Sequence, residues 1–221
     1  MRGEGEEPGT FVLDELTEKD LLKRDEDERT LVHLVVAKGK RDDITKLLER
    51  FPAAVEQACK SCDDGEWTPL HSSVSAGHTE VAKLIMPLSD LDSRNSAACT
   101  ALHYAASKGH LELAQALIAS GAKLGLRDNS GATPLHRAVA NNRQDVVKEI
   151  LSKCGGSTKN ATILDRKDKS GFTALHLAAY SGNMDIARQL IEAGADKGIQ
   201  DVEEKLPVDY AVDENMKSIL S

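Results

Sequence analysis

Seven histidines, four cysteines and one short glycine-rich stretch are the parts of this 221-residue chain with the makings of chemistry. Histidine suits acid–base work or metal ligation, a Cys-x-x-Cys pair suits zinc or dithiol exchange, and a glycine-rich loop suits phosphate. Spacing decides each case. Five histidines close a four-residue block that opens with threonine: Thr30-Leu-Val-His33, Thr68-Pro-Leu-His71, Thr100-Ala-Leu-His103, Thr133-Pro-Leu-His136 and Thr173-Ala-Leu-His176. His78 and His110 each follow a glycine at one fixed distance behind the block. Recurrence at a fixed place accounts for all seven as architecture, whereas an active site would single one out. Cys59 and Cys62 form the one Cys-x-x-Cys pair, and Cys99 and Cys154 lie too far along the chain to complete a zinc site, so four free thiols are expected. Gly155-Gly-Ser-Thr-Lys159 lacks the residue order of a phosphate loop and a strand before it. Asn160-Ala-Thr162 would accept a glycan only in a secreted chain. The sequence therefore assigns no catalytic residue, no cofactor site and no metal site, and points to a binding protein that is not an enzyme.

The elements that carry these residues follow from the same spacing. The blocks are separated by 38, 32, 33 and 40 residues, and a decayed sixth copy at Leu206-Pro207 adds a step of 33, which is one period of about 33 with two insertions. Nine positions after the threonine stand Gly39, Gly77, Gly109, Asn142 and Gly182, the residue types that best tolerate the left-handed backbone ending a helix. Seventeen and eighteen positions after it stand the pairs Leu47/Leu48, Ile85/Met86, Leu117/Ile118, Ile150/Leu151 and Leu190/Ile191. With Ile44, Val81, Ala114, Val147 and Ala187 they make the apolar stripe of a second helix. Each unit thus predicts a turn, a short helix, a tight reversal and a second helix. Within the block, threonine caps the short helix, proline suits its first position, and histidine hydrogen-bonds back onto the turn and ties one unit to the next.

The Thr-Pro-Leu-His block, the glycine nine residues later and the Gly-Ala pairs at Gly121-Ala122 and Gly194-Ala195 resemble the ankyrin repeat. The resemblance implies an all-α fold, an ankyrin-repeat solenoid of stacked helix-turn-helix units with turn fingers along one edge. Residues 1–10 are expected to be disordered, and 11–221 to form a single ankyrin-repeat domain. Within it, 11–24 make a partial N-terminal cap with a helix over Phe11 to Leu22, 25–198 make five full repeats, and 199–221 make a C-terminal capping repeat. The insertion Phe51–Cys59 is expected to be a lengthened connection between units, and Cys154–Thr162 a surface loop.

Composition limits the partners. The chain is 40% apolar but holds only seven aromatics, so small aliphatic side chains must fill the core. Its net charge of −8 disfavours nucleic acid and anionic membranes. Acid is concentrated at the ends: residues 1–30 hold eleven acids and five bases and residues 199–221 hold six and two, whereas the middle holds nineteen and twenty-one. No run approaches the roughly 18 apolar residues of a membrane span, and the start is acidic rather than basic then apolar. A soluble monomer of the cytoplasm is expected, with entry into the nucleus left open.

Binding should fall on the fingers and on the groove side of the short helices. The fingers are 25–29, 63–67, 95–99, 128–132, 168–172 and 201–205, and Asp27, Arg29, Asp64, Glu66 and Trp67 combine acid with an aromatic anchor on the first two. Lys108 and Tyr180 fall on exposed helix positions and Phe172 closes the fifth finger. The run from Asp27-Glu-Arg-Thr30 through Trp67-Thr-Pro-Leu-His71 and Cys99–Lys108 to Glu203-Glu-Lys205 is similar to the gankyrin family, assembly chaperones of the proteasome regulatory particle. That resemblance implies a partner, the C-terminal domain of one AAA+ ATPase subunit of the proteasome base, gripped through the concave face. It implies contacts at Asp27, Arg29, Asp64, Trp67 and Lys108. An ankyrin-repeat inhibitor of a kinase and a generic scaffold for a basic protein surface stand as alternatives.

Overall fold

The computed structural model describes residues 15–154 and 163–221. The expected disorder of residues 1–10, the start of the expected cap helix at Phe11 and the loop after Cys154 lie outside the described residues. Those described are helical, with no strand among them. They fall into two compact units divided after Ser96.

The first helix among the described residues of the first unit is short, α1 (Glu18–Leu22), closed by the reciprocal Thr17 and Asp20 box, in which the Thr17 amide donates to Asp20 at 2.9 Å. Two helix pairs follow, α2 (Leu31–Ala37) with α3 (Arg41–Arg50) and α5 (Pro69–Ala76) with α6 (Thr79–Ile85), the latter continued by a 3-10 turn at Met86–Leu88. The insertion between the pairs is not an open connection. Pro52–Cys59 forms a helix, α4, started by Pro52 at its first turn and packed against α1, α2 and α3. Its buried residues Ala54, Val55, Ala58 and Cys59 share one helical face.

The second unit holds α7 (Ala101–Lys108) with α8 (Leu111–Ala119), α9 (Pro134–Ala140) with α10 (Gln144–Cys154), and α11 (Ala174–Tyr180) with α12 (Met184–Glu192). It ends in a 3-10 turn at Pro207–Tyr210 and α13 (Glu214–Leu220). Short helices pack on short ones, α7 on α9 and α9 on α11, and long on long, α8 on α10 and α10 on α12. The leucine of each block is sealed, with Leu102, Leu135 and Leu175 at 1% exposure or less. Alanines 105, 106, 138, 178 and 179 are fully buried between the short helices, where so small a side chain lets backbones approach. The reversal column adopts the left-handed backbone throughout, with φ between 54° at Asn142 and 81° at Gly109.

Candidate protein-binding site

Five of the six fingers are organised by the aspartate carboxylate that opens them, and the third opens with Asn95. Asp25 accepts the amides of Asp27 and Arg29 at 3.0 and 2.9 Å, and Asp63, Asp128, Asp168 and Asp201 each accept the amides two and four residues on. The same five residues close the loop through the backbone, each amide donating to the carbonyl four residues later at 2.9 to 3.0 Å. Neighbouring fingers are joined through the backbone: Asp64 to Asp27, Ser96 to Gly65, Asn129 to Ala97, Lys169 to Ser130 and Val202 to Ser170, amide to carbonyl. The fourth residue of every finger takes a positive φ, supplied by Gly131 and Gly171 in two fingers but by Glu28, Glu66, Ala98 and Glu204 in the others. A side chain in that backbone costs on the order of 1 kcal/mol.

The block histidine binds each finger to its helix. Nδ1 accepts the threonine amide at 3.1 to 3.2 Å in all five blocks and meets the threonine hydroxyl at 2.8 to 2.9 Å. Nε2 faces the carbonyl closing the next finger, from His33 to Trp67, His103 to Ala132, His136 to Phe172 and His176 to Lys205. A backbone N–H on one ring nitrogen and a carbonyl on the other leave only the neutral tautomer with its proton on Nε2. Burial, above all, pushes the pKa of His33, His136 and His176 below the usual histidine value. In the last repeat Asp209 takes the histidine's place and accepts the Leu206 amide at 2.8 Å.

Of the residues singled out in the sequence, five come together in the first unit. Asp27 and Arg29 pair with each other at 2.6 Å, Arg29 also holds Asp25 at 3.0 Å, and the Asp64 amide rests on the Asp27 carbonyl. Asp27, Asp64 and Glu66 are exposed, while Trp67 is half-buried, its ring 6.0 Å from that of His71. Arg24 ties this corner to the cap, donating to the carbonyls of Glu28 and Cys62 at 2.9 and 2.7 Å. Lys108 is exposed on the last turn of α7 in the second unit, two repeats before Phe172. Phe172 and Tyr180 are joined through Tyr210, whose ring lies 5.0 Å from the first and 6.3 Å from the second.

One column escaped the sequence pattern. Leu34, Ser72, Tyr104, Arg137, Leu177 and Tyr210, four residues after the block threonine or its equivalent, are all half-buried beside a finger. Two of them reach the finger carboxylate nine residues earlier: Arg137 donates to Asp128, and the Tyr210 hydroxyl to Asp201. The bond to Asp201 pushes the Tyr210 phenol up to about 12. Residue type varies down this column, so only the fixed offset from the finger aspartate could have revealed it. All four cysteines are free thiols, Cys62 exposed and the others buried. Among the described residues no group of histidine, cysteine and carboxylate side chains has the makings of a metal site, and no helix is long and apolar enough to cross a membrane.

Three family models match the chain in succession: ankyrin repeat over residues 65–96, ankyrin repeats in three copies over 84–163 and ankyrin repeats in many copies over 160–211. The chain is an ankyrin-repeat protein. Its fold is similar to that of the human ASB11 ankyrin repeat domain, with a TM-score of 0.76 at 19% identity, covering 95% of this chain and 88% of that one. In sequence it is similar to a Dictyostelium discoideum protein named 26S proteasome non-ATPase regulatory subunit 10, 41% identical over 63 residues, or 28% of this chain. It is also similar to a Saccharomyces cerevisiae protein named probable 26S proteasome regulatory subunit p28, 32% identical over 143 residues, or 63% of this chain. The matches span 25% of the first relative's length and 61% of the second's. Ankyrin repeats are protein-binding modules, and the repeats here place exposed acid on fixed fingers.

Proposed function

We propose that this chain is a non-catalytic assembly chaperone of the proteasome regulatory particle that binds the C-terminal domain of one AAA+ ATPase subunit of the base. The similarity to two proteasome regulatory subunits carries this reading. The exposed Asp27, Asp64 and Glu66 on the two fingers that carry Arg29 and Trp67 support it, since acidic tips beside an aromatic anchor suit arginines on a partner. Lys108 would meet partner carboxylates, and Phe172 and Tyr180 would add apolar contact. Binding would obstruct premature docking of the base on the proteolytic core particle, with no cofactor and no nucleic acid taking part.

The test is co-purification of the ATPase C-terminal domain with the full chain at modest salt. Asp27→Arg combined with Asp64→Arg should abolish capture while leaving the helical signal and the melting temperature within a few degrees of the native chain. The Asp27–Arg29 pair is roughly half exposed on both sides, so losing it costs under about 1 kcal/mol. Capture by the double variant at native strength would remove the acidic fingers from the interface. Failure of the native chain to capture the domain would remove the proteasomal reading.

A further inference from the structure

Among the described residues, the large apolar side chains that stand exposed all lie between residues 180 and 212: Tyr180 at 66%, Met184 at 36%, Val202 at 69% and Val212 at 60%. Two of them converge. Tyr180 ends α11, and Val212 comes so close to the reversal two residues later that a Cβ on Gly182 would lie 3.0 Å from it. The Tyr180 ring meets Tyr210 edge-on at 6.3 Å, and Tyr210 meets Phe172 at 5.0 Å. Phe172, Tyr210, Tyr180 and Val212 therefore form one aromatic and aliphatic corner whose centre, Tyr210, is fixed by its bond to Asp201. Exposed apolar side chains gathered around one aromatic ring, rather than scattered singly, mark an interaction site.

The surroundings say what kind of partner fits. Residues 199–221 carry six acids against two bases, and both bases, Lys205 and Lys217, are matched within the chain by Glu203 and Glu214. The corner thus lies in a negative field. One cation already uses it, for the Lys205 ammonium sits 5.5 Å from the centroid of the Tyr210 ring. A second copy of this chain would bring the same negative surface against it, and an acidic segment would be repelled.

We propose that the corner of Tyr180, Tyr210, Val212 and Phe172 docks an aliphatic segment of a partner protein that carries arginine, with the guanidinium over the Tyr180 ring and an aliphatic side chain against Val212. The site deepens the protein-binding reading above and rests on it, but it does not require that the partner be an ATPase subunit.

The probes are a capped hexapeptide of alternating leucine and arginine, its citrulline counterpart of the same shape without the charge, and its glutamate counterpart. Each is titrated into the full chain by NMR. The ring resonances of Tyr180 and Tyr210 report this site, and the indole of Trp67, the one tryptophan, reports the acidic fingers. The arginine peptide should move the tyrosine resonances with an affinity about tenfold above the citrulline peptide. Tyr180→Ala with Val212→Ser should lose that response while the Trp67 response and the melting temperature stay put, and Tyr180→Phe should keep it. Equal binding of the citrulline or glutamate peptide, an undiminished response in the double variant, or self-association of the chain that the double variant abolishes would each overturn the proposal. A tyrosine response without capture of the ATPase domain would sink the proteasomal reading alone, and capture without a tyrosine response would sink this one alone.

Discussion

At Nδ1 of His136 the proton is kept out by a neighbour, because the Thr133 amide points its own hydrogen at that nitrogen from 3.2 Å. Charging the ring would set two donors against each other in a site 1% exposed, and the lowered pKa follows from that burial first. The stability consequence has a definite sign. A histidine neutral in the fold and of ordinary pKa near 6.5 when unfolded contributes fully above pH 6.5, and its contribution is lost as the pH falls below that value. Thermal melts of the native chain should drop between pH 7 and 5, by up to about 1.4 kcal/mol per pH unit for a group such as His136. His136→Gln should melt lower at pH 7 but with a shallower decline; an unchanged pH slope would mean that the ring is not held neutral. Glu66 is the opposite case, a residue whose backbone suits another. With φ at 60° it occupies a glycine conformation, so Glu66→Gly should raise the urea midpoint by up to about 1 kcal/mol of stability while weakening capture of a partner. A fall in the midpoint would show that the side chain supports its own finger.

The finger is an element without regular secondary structure, and its tolerance is set by backbone against backbone. A Cβ on Gly171 would stand 2.6 Å from the Val202 amide nitrogen at a φ of 80°, whereas Gly194, at 94°, has nothing within 4 Å of that position. Gly194→Ala should therefore cost only the conformational penalty of about 1 kcal/mol. Gly171→Ala should cost clearly more, about 2 to 3 kcal/mol, as the neighbouring finger is forced away. Chemical denaturation of the two variants checks this, and equal losses would mean that the fingers yield. Much of this was legible in the sequence. The Thr-to-His block, the reversal residues and the apolar stripes recur in register, so the short helix, the turn and the second helix followed from period alone. Helix α4 did not, because its stripe of Ala54, Val55, Ala58 and Cys59 lies in an insertion where no other repeat offers a comparison. The column from Leu34 to Tyr210 was hidden for a different reason. Its members share a location beside the finger carboxylate, but they range from leucine to arginine, so no residue type marks them.

For the molecule as a whole, the acid at the two ends now has a local meaning. Near the start, the acid of residues 25–28 lies on the first finger beside Arg29, with Asp25 spent on holding its loop. Near the finish it surrounds an aromatic corner, with Asp201 committed to Tyr210 and Asp209 to Leu206. Neither arrangement was visible in a net charge, because which carboxylates close loops and which face outward depends on the fold. The amide-to-carbonyl bond joining each finger to the one before it has a further consequence. Five amides, those of Asp64, Ser96, Asn129, Lys169 and Val202, each span one junction and no other. Hydrogen exchange at each therefore times the parting of one pair of neighbouring fingers, so the chain carries its own ruler for the order in which they come apart. In a repeat protein the terminal junctions should open first, and Asp64 and Val202 should exchange ahead of Asn129. A common rate at all five would mean instead that the junctions part only when everything does.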